Sequence, residues 1–112
     1  MDQEKLDKLI DVVYKQLALK EDMSRSFLVA AFDMIKAFDE NHAEKGGLEP
    51  YTEFGPIGVM IEFAKKYNKL KSHYQPGDET KYDSEELEQI WEACAVYSLM
   101  GKLVESGDWT DQ

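Results

Sequence analysis

The chain is poor in the residues that most enzyme motifs are built from. Its 112 residues include one cysteine, Cys94, so no internal disulfide can form. The thiol falls in an apolar helical run where a small hydrophobe would serve, which reads as core rather than nucleophile in a reducing compartment. There are two histidines, His42 and His73. A serine or cysteine nucleophile would need one of them as its base, and no spacing selects a pair. A glycine-rich phosphate loop, a dinucleotide fingerprint, paired cysteines for zinc and an HExxH sequence are all missing, which removes the common nucleotide, zinc and metalloprotease signatures. No apolar run approaches bilayer length, and no basic, apolar leader opens the chain. The expected setting is a soluble, cytoplasmic protein with no membrane contact.

Acid and helical periodicity are abundant. Hydrophobic residues make up 43% and aromatics 12%, within the range of chains that bury a core, and the length fits one domain spanning residues 1–112. The formal net charge is −10. Such a field repels phosphate backbones and anionic lipid, so direct DNA or RNA binding is disfavoured. The charge is uneven: residues 1–54 carry about −5, residues 55–74 about +3 and residues 75–112 about −8. Two readings follow, an acidic protein with solvated helix faces, or an acidic surface that competes with nucleic acid for a basic partner.

The central stretch is Phe54 to Tyr74. Gly55 and Pro56 mark a helix start, because proline at the first helical position gives up an amide that would have no partner. Met60, Phe63, Tyr67, Leu70 and Tyr74 then recur at steps of three and four on one face. Ile57, Val59, Ile61 and Ala64 widen that arc, so the first half is expected to be buried on most sides. Lys65, Lys66, Lys69 and Lys71 crowd the second half, suiting the C-terminal end of the helix dipole.

The flanking segments read the same way. Asp2 caps a helix to about Leu19 with Leu6, Leu9, Ile10, Val13 and Leu17 as its stripe. Glu21, Asp22 and Ser24 form a turn into a helix from about Arg25 to Glu44, stopped by Gly46 and Gly47, with His42 at its C-terminal end. Leu48 to Glu53 is a loop. Gln75 to Tyr82 is a polar linker, expected to be the most mobile internal segment, with Pro76, Gly77 and Asp78 as turn residues. Asp83 or Ser84 then caps a last helix, with Glu86 placed for a capping box. Leu87, Ile90, Cys94, Tyr97, Gly101 and Val104 form its stripe, Trp91 and Met100 widen it, and Gly107 ends it. The expectation is an all-α, antiparallel four-helix bundle with helices at about 2–19, 25–44, 56–74 and 84–105, and room for short extra helical turns. Its apolar stripes exceed what so small a bundle encloses, which points to a homodimer.

Carboxylates are the remaining chemistry. Glu85, Glu88 and Glu92 share one face of the last helix. They read either as a solvated acidic face or as half of a Mg²⁺ site, which would need acids such as Glu62, Asp39 or Glu40 from another helix.

The segment GPIGVMIEFAKKYNKLKSHY resembles the signature of the nucleotide modification associated domain 1 family and related phage proteins, in which a glycine-containing helix start leads to an Asp-Lys-x-x-Arg-Leu core. EELEQIWEACAVYSLMGKLVE is similar to that family's Asp-containing helix ending in tyrosine and apolar residues, and ENHAEKGGLEPYTEFG to its lysine-rich loop. The resemblance spans about residues 34 to 104. It implies an all-α protein of phages or bacteria working near nucleotide chemistry, by analogy with all-α nucleotide pyrophosphohydrolases. Lys66, Leu70 and Tyr97 match the pattern. Lys65 and Ala93 stand where the family has Asp, and Lys69 replaces its Arg, which loses the obvious metal ligands and the planar phosphate fork.

Three functions follow. The first is a non-catalytic, phage-type binding protein whose acidic face, Glu85, Glu88 and Glu92, blocks a host nucleic-acid-handling or defence factor with a basic surface, in an anti-CRISPR or anti-defence role. The second is a nucleotide or cyclic-nucleotide binder, with Lys65, Lys66 and Lys69 on phosphate and Tyr67 or Tyr74 as stacking faces. The third is a Mg²⁺-dependent pyrophosphohydrolase. No cofactor is expected outside that third case.

Overall fold

A computed structural model describes residues 2–45, 54–78 and 80–108, with backbone alone for 41–45. Among the described residues there are four helices: α1 (Gln3–Gln16), α2 (Asp22–Lys45), α3 (Pro56–Tyr74) and α4 (Ser84–Ser106). The protein is all-α, with no strand among the described residues. It divides into two compact units, Met1–Glu40 and Asn41–Gln112.

In the first unit, Asp2 caps α1 as its sequence position dictates, its carboxylate accepting the Lys5 N–H at 2.8 Å. The helix stops at Gln16, earlier than the periodicity suggested. Leu17, Ala18 and Leu19 close a Schellman turn in which the Ala18 N–H reaches the Lys15 carbonyl at 3.0 Å and the Leu19 N–H reaches that of Tyr14 at 3.1 Å. Ala18 therefore takes a left-handed φ of +53°, a conformation where a Cβ is strained. Helix α2 begins three residues before its expected start, because Asp22 is absorbed into its first turn, where an acid suits the dipole. Arg25 of α2 pairs with Asp11 of α1, and the Tyr14 hydroxyl donates to the Glu21 carbonyl at 3.3 Å. Ile10 is fully buried, whereas Leu9 and Leu17 of the same stripe are exposed. The glycine stop at Gly46 and Gly47, the loop 48–53, the His42 side chain and Trp109 lie outside what is described.

The second unit is organised by α3 and α4, an antiparallel helical hairpin. Gly55 enters α3 at φ +70° with Pro56 in the first turn. Asp83 caps α4 by accepting the Glu86 N–H at 2.8 Å, and the Glu86 carboxylate closes the capping box on the Asp83 N–H. At the far end Gly107, at φ +80°, completes the same Schellman pattern that Ala18 completes under strain.

Leu70, Ile90 and Cys94 form the buried cluster between the two helices, with Phe63, Tyr82 and Leu87 packed against it. Toward the other end of the hairpin Gly101 faces Val59, whose methyl would meet a Cβ there at 3.7 Å. Gly58, Val59 and Met100 are buried, but Ile57, Met60, Ile61 and Ala64 are not. The expectation that the first half of α3 is buried on most sides is thus corrected: among the described residues of this unit α4 is the helix that covers it, and one partner helix shields one stripe.

The linker between them is held rather than loose. The Tyr82 N–H donates to His73 Nδ1 at 3.0 Å, and the Lys81 ammonium donates to the His73 carbonyl at 2.7 Å and to that of Gln75 at 3.2 Å. A cation thereby satisfies carbonyls left unpaired at the end of α3. Gly77, at φ +85°, and an Asx turn from the Thr80 N–H to the Asp78 carboxylate shape the reversal.

Candidate functional site

The α3–α4 hairpin carries an open groove of about 510 Å³ along its linker end. Its floor is apolar, built from Phe63, Leu70 and Cys94. Three exposed aromatic rings, Tyr67, Tyr74 and Trp91, rise around that floor. Helical spacing explains the arrangement: steps of four, three and four from Phe63 to Tyr74 keep one face in register, and Trp91 and Cys94 are three apart on α4. The Trp91 indole N–H points at the Tyr74 hydroxyl at 3.4 Å, which links the rims from the two helices. The polar lining is limited to Lys71 and Gln75.

The lysines expected to meet phosphate are placed elsewhere. Lys65 pairs with Glu62 at 3.0 Å, so its charge is answered within its own helix. Lys66 is half-buried, and burial pushes its ammonium below the usual lysine range, helped by the neighbouring Lys69 charge and opposed by Glu62. None of Lys65, Lys66 and Lys69 lines the groove, whereas Tyr67 and Tyr74 do. The basic residue of the groove is Lys71, which carries no ion pair among the described residues. Lys71, Trp91 and Cys94 could have been grouped from sequence only by aligning α3 against α4, because periodicity names the face of each helix but not its opposite residue.

The acidic face lies on α4. Glu85 and Glu88 are exposed and Glu92 is half-buried, and none has a lysine or arginine within ion-pair distance among the described residues. Among the same residues no three His, Cys, Asp or Glu side chains are placed to hold a metal ion, and Glu62 is paired with Lys65.

Two groups that could act as nucleophile or base, Cys94 and His73, are engaged in structure. The Cys94 thiol is buried, and burial raises it above the ordinary thiol range despite the nearby Lys66 charge. His73 uses Nδ1 to accept the Tyr82 amide, and its ring packs edge-on against Tyr74 with centroids 4.8 Å apart. No described helix is long and apolar enough to cross a membrane. No family model matches this chain, and no curated protein or solved structure matches it.

Proposed function

We propose that the chain is a non-catalytic binding protein that lays the acidic face of α4 on a basic surface of a protein partner. The observation that carries this reading is the row Glu85, Glu88 and Glu92, left without cationic partners among the described residues in a chain of net charge −10. Unpaired carboxylates at helical spacing present a linear negative field, the complement of a surface made for nucleic acid. A buried, raised thiol and an imidazole already engaged by a backbone amide argue against nucleophilic chemistry. The resemblance to phage proteins makes a host nucleic-acid-handling or defence factor in the cytoplasm the fitting partner class. Large apolar side chains exposed on α3, such as Ile57 and Met60, make self-association part of the same proposal.

The test is capture of host proteins on the immobilised chain across a salt series. Retention at low ionic strength, steep release as salt rises, displacement by duplex nucleic acid and loss in a Glu85→Gln, Glu88→Gln, Glu92→Gln bait would support the reading. Salt-insensitive capture untouched by the three substitutions would end it. A second reading, a nucleotide or cyclic-nucleotide binder, draws on Tyr67 and Tyr74 standing on the groove. A ligand of the folded state must raise the melting temperature, so a nucleotide panel that leaves it unchanged removes this alternative.

A further inference from the structure

We propose that the α3–α4 groove is a binding site for a small, flat, singly charged organic anion, such as an aromatic carboxylate. None of Glu85, Glu88 and Glu92 lines this groove, and the proposal does not rest on them. Three features point to that chemistry. The volume of about 510 Å³ falls in the range of small-molecule sites. The wall is aromatic on both helices, with Tyr67 and Tyr74 facing Trp91 over a floor of Phe63, Leu70 and Cys94, which favours a planar apolar body. The cation of the lining is Lys71, which has no carboxylate partner among the described residues, with Gln75 in the same lining.

The size of the anion follows from the balance of local and global charge. One ammonium can answer one carboxylate at close range. Every further negative charge on the ligand meets the repulsion of a chain at −10, and the next ammonium along the rim, Lys81, is already engaged by the His73 and Gln75 carbonyls. The groove therefore selects a monoanion with a large apolar face over a polyphosphate. Burial keeps the Cys94 thiol protonated, so the floor adds no negative charge.

The experiment is calorimetric titration of the full chain with 2-naphthoate, its neutral counterpart 2-naphthamide, and adenosine triphosphate. The site predicts that naphthoate binds about fivefold more tightly than naphthamide, the gain expected of one partly exposed charge contact. Lys71→Gln is expected to erase that difference while leaving naphthamide affinity unchanged, and Lys69→Gln to leave both unchanged. Trp91→Leu is expected to weaken both ligands, with helical content by circular dichroism showing that the fold persists. Equal affinity for the two naphthalenes, no binding of either, or an equal loss in Lys69→Gln and Lys71→Gln would overturn the proposal. Tighter binding of the triphosphate, lost in Lys69→Gln, would overturn it in favour of a nucleotide site. The α4 glutamine variants are expected to lose salt-sensitive partner capture while keeping the affinity for neutral 2-naphthamide, so the two readings fail separately.

Discussion

Ile90 and Trp91 are adjacent in α4, both apolar, and meet opposite fates: Ile90 is 7% exposed and Trp91 is 55% exposed. The same contrast separates Leu70, in the core, from Tyr67 and Tyr74 on either side of it, at the groove. A turn of helix rotates about 100° per residue, so one step along the chain moves a side chain from the interhelical seam to its flank. The seam is shielded and the flank is left open to solvent. Size does not decide which is which, since the larger side chains, Tyr67, Tyr74 and Trp91, are the exposed ones.

The largest effect that would break this contrast is Ile90→Ala. Removing a buried branched side chain from a three-residue cluster loses its transfer energy and leaves a cavity, so unfolding by denaturant should show a loss of about 2–4 kcal/mol. A value under about 1 kcal/mol would mean that the seam is not the core.

Cys94 sharpens the comparison, because it belongs both to the seam and to the groove floor. Cys94→Ser places a hydroxyl in an apolar setting and should cost about 1–2 kcal/mol. In the native wild-type chain the thiol should react slowly with a disulfide reagent and rapidly once denatured. Fast native labelling would assign Cys94 to the exposed flank.

Trp91→Ala is the counterpart on the rim. It opens no enclosed cavity and gives up only the shielded part of the ring, so the expected loss is about 1 kcal/mol. A cost exceeding that of Ile90→Ala would make the rim part of the core.

The smallest effect concerns the cap that starts α4. The Glu86 backbone N–H, with help from the Glu86 side chain and the Glu85 amide, holds Asp83 below the ordinary carboxylate range. A group depressed in the folded state contributes stability above its unfolded value, near pH 4, and that contribution is lost as the pH falls through the lower folded value. Asp83→Asn keeps a capping acceptor but cannot titrate. The melting temperature of this variant should match wild type at pH 7 and fall less steeply below about pH 4. An unchanged acid limb would remove Asp83 from the account, leaving Asp78, which is depressed by its bond from the Thr80 amide, as the group to test.

Local rules carried most of the secondary structure. Asp2, Gly55 with Pro56, the Asp83 and Glu86 capping box, and Gly107 each act through backbone groups within a few residues, so their positions bound α1, α3 and α4 before any packing is known. Ala18 ends α1 in a left-handed turn that its own side chain disfavours, so no glycine marks that end in the sequence. Lys81 and Tyr82 bond back to the end of α3, contacts that linker composition does not announce.

For the groove, spacing puts Tyr67 and Tyr74 on one face, whereas a run of lysines looks like one patch in sequence but divides in space: Lys71 lines the groove and Lys65, Lys66 and Lys69 do not, because successive residues on a helix point in different directions. From its order of residues alone the chain determined an all-α fold, the ends of most of its helices and the excess of acid, all properties that depend on near neighbours or on summed charge. Tertiary structure decided which apolar residues are shielded, which lysine stands beside the aromatic rings and which carboxylates remain unpaired. Those outcomes depend on how α3 is set against α4, and the periodicity of one helix says nothing about the register of the other.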